Sequence, residues 1–536
     1  MAEPLFKGPF DIPDVRRFIP RPLRPWIFIV FVVIIQFSGA LYLGAVSDMV
    51  GDKALMTEDI MMAGYASLIG MSLNFAVMFR MKFRFSNSIT LLGCCAVLIA
   101  ANILTPLTDN TALLVVISLI AGWFRMQATF ACNSTIQLWL TPVRDMSVFF
   151  CYVYLVVDGI IQLSGIATVY AAFAGQWQWM NHIMTGLLAA MMILVLVLLR
   201  PFKGPMRIPL LGIDWLGSVL WGIFMLSFTF ICVYGHHYDW WEGEEIVAAT
   251  VIGAAALLLN LWRATFLRHP YISFAALTNR NVVNATVVYL VFFTLIATEH
   301  VVESNYAISI LGFDSTNLAD LNWAVFAGII AGVTLTYFTF ARRRWRYLTM
   351  TAIGFIFAAA YLAWFYFFLD YGVEKEALYA PLFCRGVASV VISIVFLTSI
   401  VQSGLPFMVF PQALTVNGFT GAVVGATFGP AIVGELLSRL VAKNSALLGT
   451  RLTDVFASTL PRESLGDIIS QTMRQALAVS MKEIYGWMLI GCLAFIVVIA
   501  VSYSPLRPKA IFPSWATIRR ILRRSARTVG AETCNN

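Results

Sequence analysis

The chain has 536 residues, of which 60% are hydrophobic and 12% charged, with a mean hydropathy of +0.81 and a formal charge of +8. That composition excludes a water-soluble domain, which would have too little polar surface, and the positive charge is too thinly spread to form a nucleic-acid-binding face. About 20 apolar residues cross the hydrocarbon core as a helix. Most of the chain consists of such runs between short polar loops, so the expected fold class is an all-α polytopic membrane protein.

Residues 1–24 are basic and proline-rich, with Lys7, Arg16, Arg17, Arg21 and Arg24, and read as a cytoplasmic leader. The first apolar run is long and stays as a span rather than forming a cleaved signal. Six spans are expected near 25–46, 58–79, 88–106, 111–138, 146–171 and 179–199. Two more are expected near 212–234 and 245–263, and a last six near 282–305, 320–341, 348–369, 379–402, 412–438 and 484–504. The grouping divides the chain into an N-terminal six-helix bundle (25–200), two extra transmembrane helices (201–281), a C-terminal six-helix bundle (282–505) and a basic cytoplasmic tail (506–536). Two related bundles with an added pair suit a transporter.

The loops alternate in charge as this count requires. Arg80, Lys82 and Arg84, then Arg144, Arg200, Lys203, Arg207, Arg263, Arg268, Arg280, Arg342 to Arg344 and Arg346 all fall on the side of the leader and tail. The opposite loops are acidic or neutral, so both termini are expected in the cytoplasm. Residues 443–482 carry apolar residues at helical spacing around a Pro-Arg-Glu-Ser break. They are expected to form a hairpin of two amphipathic helices over the outer membrane face. The tail stretch IRRILRRSAR suits anionic inner-leaflet lipid.

Charges within the spans are the candidate machinery, because an ionisable group at that depth costs at least a few kcal/mol unless it faces protein or water. Arg125 lies mid-span in ISLIAGWFRMQATFACNSTIQLWL, and Asp158 lies mid-span in the next helix. Similar depth makes them an expected buried pair, either a static one or a proton switch. Glu299 and Glu303 sit four apart on one face of span 9, beside His300, and with Arg385 and Glu435 they suggest an outer-half cluster in the second bundle. Asp158, Arg125, Glu299, Glu303 and Glu435 are therefore the proton-coupling candidates. Phe124, Met126 and Phe130 around Arg125, with Gln36, Tyr154 and His300, are the substrate-binding candidates, either as an adaptable apolar pocket or as ordinary helix packing.

Other chemistry is missing from the sequence. The five histidines are scattered without metal-ligand spacing, and there is neither a GxxxxGK[ST] loop nor a GxSxG motif. No metal, cofactor or enzymatic centre is expected. The eight cysteines lie within apolar runs and the tail, and no loop offers a pair for a disulfide.

Several stretches resemble the fourteen-helix, EmrB-like drug/proton antiporters of the major facilitator superfamily. GWFRMQATFACNSTIQLWLTP is similar to that family's motif around a buried Arg, which falls on Arg125. QWQWMNHIMTGLLA, IDWLGSVLWGIFM, GHHYDWWEGEEIVA, HPYISFAALTNRN and FGPAIVGELLSRL resemble its segments at spans 6, 7, 8 and 13. Gln36 stands near the usual span 1 Asp, and Asp158 is added in span 5. The resemblance implies alternating access by two six-helix bundles and proton-driven export across a cell inner membrane. In Gram-negative members it also implies a periplasmic adaptor and an outer-membrane channel. The expected activity is proton-coupled antiport of amphipathic or cationic organic compounds. The alternatives are export of one dedicated metabolite or lipid-like compound, and a membrane-embedded enzyme or scaffold.

Overall fold

The computed structural model describes residues 14–39, 44–141, 145–201, 210–406, 409–450 and 462–502. The sequence-level expectations for residues 1–13, Arg144, Lys203, Arg207 and the tail lie outside these residues. The described chain is helical almost throughout, with one isolated two-residue bridge between Val15 and Leu199. Helix α1 is Arg24–Phe37, followed by a short helix, Val46–Lys53. The remaining spans are α2 (Thr57–Arg84), α3 (Asn87–Leu107), α4 (Thr111–Leu140), α5 (Met146–Ala174), α6 (Gln178–Leu198), α7 (Trp215–Tyr234), α8 (Glu244–Phe266), α9 (Arg280–Ile310), α10 (Ser315–Arg342), α11 (Tyr347–Phe368), α12 (Lys375–Val401), α13 (Phe410–Gly449) and α14 (Arg462–Ser502). All but α1 are long and apolar enough to cross a membrane, so the protein is a multi-pass membrane protein.

Short polar residues mark where the spans begin. Ser86, Asn110, Asp145, Asp214, Asn279 and Asp314 each accept a backbone N–H from the first turn of the helix that follows. Such caps satisfy donors that neither lipid nor the helix itself can satisfy.

Small residues then fix which helices meet. α2 and α4 cross so closely that a Cβ on Gly122 would lie 1.9 Å from the Ser67 carbonyl oxygen, and one on Gly70 would lie 2.0 Å from that of Leu119. The second bundle repeats the device between its own second and fourth helices. There a Cβ on Gly328 would lie 2.3 Å from the Phe383 oxygen, and one on Gly386 2.5 Å from that of Val325. With no hydrophobic force between helices in lipid, close backbone approach of this kind drives association.

The two bundles meet along α5 with α10 and α12, and along α2 with α13; α7 and α8 pack on each other, and α7 reaches α2 and α13. The α5–α10 seam is tied at both ends. Arg344 bonds Asp145 at 2.5 Å at the basic end, and Tyr170 donates to Asp320, itself 2.6 Å from Lys375, at the other. Burial alone would raise the Asp145 carboxyl, but hydrogen bonds from Ser147 and Arg344 outweigh it and hold that carboxyl below the usual range.

Part of the leader folds back onto the basic face. The Arg16 N–H donates to the Leu198 oxygen at 3.0 Å and the Arg200 N–H to the Asp14 oxygen at 2.8 Å. Burial pushes the Asp14 carboxyl above its usual value, against Lys82, Asn87 and Arg200.

Segment 443–482 differs from the expected membrane-lying hairpin. Residues 443–449 continue α13, residues 462–482 continue α14, and 451–461 lie outside the described residues. At 41 residues α14 is roughly 60 Å long, about twice the hydrocarbon thickness. The two extensions pack side by side, with Asn444 donating to Ser480 at 2.9 Å and Lys443 lying 3.7 Å from Glu483. An apolar stripe at helical spacing serves a helix standing on a neighbour as well as one lying on lipid, and periodicity cannot tell the two apart.

Candidate functional site

A cavity of about 520 Å³ lies between the two bundles. The first bundle lines it from α1, α2, α4 and α5, the second from α9, α10, α12 and α13. On α5 the lining runs from Met146 to Gln162, on α4 from Met126 to Gln137, and on α13 from Phe410 to Ala422. Each of these stretches covers the part of its helix nearest the basic face. Asp158, Glu299 and Arg385, from further along their helices, line the cavity as well.

Aromatic rings from both bundles form part of its walls. Phe79 of α2 packs edge-on against Phe130 of α4 at 4.8 Å and reaches Phe410 of α13 at 6.2 Å, so rings from the two bundles touch across the seam. Tyr289 and Phe293 of α9 stack edge-to-face at 4.8 Å, and Tyr289 donates to Ser393 of α12 at 2.8 Å. A π-helical turn in α13, Phe419–Val424, brings Gly421 against Tyr289, where a Cβ would sit 2.2 Å from the ring. Such turns recur where a helix must re-aim its face at a site.

Of the substrate-binding candidates, Gln36, Met126, Phe130 and Tyr154 line the cavity. Gln36 also donates to Thr129 at 2.8 Å. Phe124 does not line it: the ring packs on Trp123 and among the residues between α1 and α3. His300 is exposed and sits 3.1 Å from Glu299.

The expected pair of Arg125 and Asp158 does not form. Arg125 is buried, with its guanidinium against Gly39 and 2.6 Å from the Met71 sulfur, and it lines a separate small cavity inside the first bundle. Asp158 faces the central cavity, and no ion pair joins the two among the described residues. Equal depth was read from the sequence, but α4 and α5 scarcely touch; α4 packs on α2, α3 and α1, while α5 packs on α10 and α12.

The second-bundle cluster forms in part. Arg385, also buried, bonds both carboxylate oxygens of Glu303 at 2.8 and 2.7 Å, and its Nε lies 3.4 Å from Glu299. Tyr361 donates to Glu303 at 2.9 Å. Span 9 supplies both acids after a break at Ala297, which ends one helical stretch and begins the next. Glu435 is not in this cluster. It accepts from Trp240 at 3.0 Å and from Arg439 at 2.5 Å, and lies 3.3 Å from His236, so it ties α13 to the α7–α8 loop.

Sequence reasoning missed Phe75, Phe79, Phe149, Phe293, Phe410 and Tyr289 as lining residues. In a chain with 14% aromatics nothing in the pattern singles them out. The described residues contain no group of acids, histidines and cysteines able to hold a metal ion.

No family model and no curated protein matches the chain. Among solved structures it is similar to an auto-inhibited peptide transporter of the POT family, with a TM-score of 0.53 and 12% identity over 89% of this chain and 97% of that one. It is also similar to the human organic anion transporter MFSD10 (TETRAN), with a TM-score of 0.50 and 9% identity over 89% of this chain and all of that one. The fold is the major facilitator fold, two six-helix bundles with two extra helices between them in sequence.

Proposed function

We propose that the protein is a secondary-active exporter, a proton antiporter for amphipathic or cationic organic compounds, working by alternating access in a cell inner membrane. The observation that carries this reading is the cavity at the seam of the two bundles, lined by Asp158 and Glu299. With the basic face in the cytoplasm, a cavity lined by the basic-face ends of α4, α5 and α13 suits loading from the compartment that an exporter empties.

The chemistry of the lining favours a cation. Asp158 and Glu299 line the cavity against one cation, Arg385, whose charge is already held by Glu303 behind the lining. Aromatic rings from both bundles give an amphipathic cation apolar contact and cation–π attraction. A carboxylate in such a cavity takes either a proton or a cationic substrate, and that competition is what antiport requires. Asp158 is our choice for the shared site, because it lines the cavity and no ion pair holds it among the described residues. The extra pair α7–α8 fits the EmrB-like resemblance. The paired extensions of α13 and α14, on the face away from the basic one, are the surface that the adaptor implied by that resemblance would meet.

The test is transport in proteoliposomes under an imposed pH gradient, with a panel of fluorescent cationic and neutral amphiphiles. Wild-type protein is expected to move several cations in a gradient-dependent way, and Asp158→Asn to lose that dependence. Gradient-driven movement unchanged in Asp158→Asn refutes its role as the shared site. Failure of wild-type protein to move any compound refutes the broad-specificity reading.

A further inference from the structure

We propose that the α7–α8 loop is a releasable latch at the end of the molecule away from the basic face, and that the extra helix pair moves with the first bundle when the latch opens. The inference rests on the alternating access in the reading above. Tyr234, the last residue of α7, donates to Asp59 at the start of α2, in the first bundle. Trp240 then donates to Glu435 of α13, in the second bundle, at 3.0 Å, and His236 lies 3.3 Å from the same carboxylate. One short stretch of chain thus ties the two bundles together at their outer ends.

The two ties differ in how easily they break. Tyr234 and Asp59 are buried, and Asp59 also accepts the Met56 N–H at 3.1 Å. Parting that pair strands a buried hydroxyl and a buried carboxylate. His236 is 71% exposed and Glu435 22%, so water takes over the groups that the second tie releases. Along its length α7 meets α13 through rings, with Phe224 and Phe228 each 6.0 Å from Phe419 and Phe228 6.3 Å from Phe428. The Cys232 thiol, a weak donor, also reaches Thr427. Bundles that rock apart at the outer end separate by more than a hydrogen bond spans. One tie must then give, and the exposed one gives first.

The loop is bent to reach Glu435. Asp239 and Trp240 both hold left-handed backbone, with φ of 51° and 56°, a region that a bulky residue such as Trp rarely enters. The Trp240 N–H turns back to the Gly235 oxygen at 2.6 Å, and Gly235 makes room for the ring, since a Cβ there would lie 2.7 Å from it. Strained backbone persists only where surrounding contacts hold it, and it clusters at clamps and switches. At the basic end, the connection from α8 to α9 bonds both bundles. Tyr271 donates to the Leu73 oxygen of α2, and Gln412 of α13 accepts from Ser273 at 2.7 Å and donates to the Pro270 oxygen at 3.2 Å. That segment is a loop able to follow both bundles, so the outer end is where the pair lets go.

The experiment is double electron–electron resonance on the full-length protein in nanodiscs, with the native cysteines replaced. Spin labels are placed in pairs through Ala112→Cys on α4, Glu245→Cys on α8 and Glu374→Cys just before α12, all at exposed positions of the outer end. Wild-type protein is expected to show mainly the short separation for every pair. Glu435→Ala is expected to raise a longer-distance population several-fold between the Glu245 and Glu374 sites and between the Ala112 and Glu374 sites. The separation of the Ala112 and Glu245 sites is expected to stay as in wild type. Should that variant fail to fold, Trp240→Phe, which keeps a ring and loses the N–H, is expected to give the same pattern at smaller amplitude. Arg439→Gln, which removes only an exposed partner of Glu435, is expected to match wild type. A longer separation of the Ala112 and Glu245 sites, with Glu245 and Glu374 unmoved, would put the pair on the second bundle and overturn the proposal. Unchanged distances in Glu435→Ala and Trp240→Phe would show that the loop latches nothing and overturn it as well. Helix separations are read without substrate, so the latch can fail while the exporter reading stands.

Discussion

Replacing Arg385 with Gln tests the strongest ionic contact within the membrane. The guanidinium holds both oxygens of Glu303, at 2.8 and 2.7 Å, and reaches Glu299 at 3.4 Å. Breaking a buried pair by removing one partner costs about 3–5 kcal/mol. Here two carboxylates four residues apart on one helical face are also left unneutralised. At roughly 6 Å and an effective dielectric constant near 20, their repulsion adds about 2–3 kcal/mol if both stay charged. Protonation or water entry relieves part of this, so the expected cost is about 3–5 kcal/mol in total. Glu303→Gln leaves Arg385 paired with Glu299 and should cost about 1–3 kcal/mol, the loss of charge-assisted hydrogen bonds. The double variant faces two neutral amides with each other and should cost less than the sum of the singles, with a coupling of about 1–3 kcal/mol. Equilibrium unfolding of all four proteins in mixed micelles measures the cycle. Additive single effects, or an Arg385→Gln cost no larger than that of Glu303→Gln, would show that the ion pair does not join α9 to α12.

Two further predictions address the helix crossings and the seam. Gly122→Val and Gly328→Val should each abolish or sharply reduce folded yield, because a Cβ would fall 1.9 and 2.3 Å from a carbonyl oxygen on the crossing helix. Gly165→Ala, where a Cβ meets nothing within 4 Å, should be neutral or stabilising by up to about 1 kcal/mol; a folded-yield assay by size-exclusion chromatography separates the two cases, and equal yields would refute the account. At the basic end of the α5–α10 seam, the depressed Asp145 carboxyl means that its contribution is present above the unfolded value near 4 and lost only as pH falls through the folded value. Arg344 is 63% exposed, so Asp145→Asn should cost no more than about 1 kcal/mol, and the same amount at pH 5, 6.5 and 8. A melting difference that disappears between pH 8 and pH 5 would contradict the ion pair.

The sequence by itself determined that the chain is a series of apolar helices in a set order, thirteen of which among the described residues are long and apolar enough to cross a membrane. Hydropathy and the cost of unsatisfied backbone in lipid leave little choice there, and the capping residues Ser86, Asn110, Asp214 and Asn279 mark helix starts before any packing is considered. Only the tertiary structure decided which helices are neighbours and which way each one faces. Arg125 and Asp158 both lie mid-helix but belong to helices that hardly meet, so the pair expected between them is absent. Arg385 and Glu303, 82 residues apart, are joined because α9 and α12 are packed together. The same limit hid the aromatic wall of the cavity and the upright extensions of α13 and α14. A helical period fixes one face relative to another on the same helix, but lipid is as apolar as most side chains and does not orient that face. The orientation comes from the small residues at which backbones can touch, the Gly70–Gly122 and Gly328–Gly386 crossings, and a glycine in a linear sequence does not say which helix it will meet.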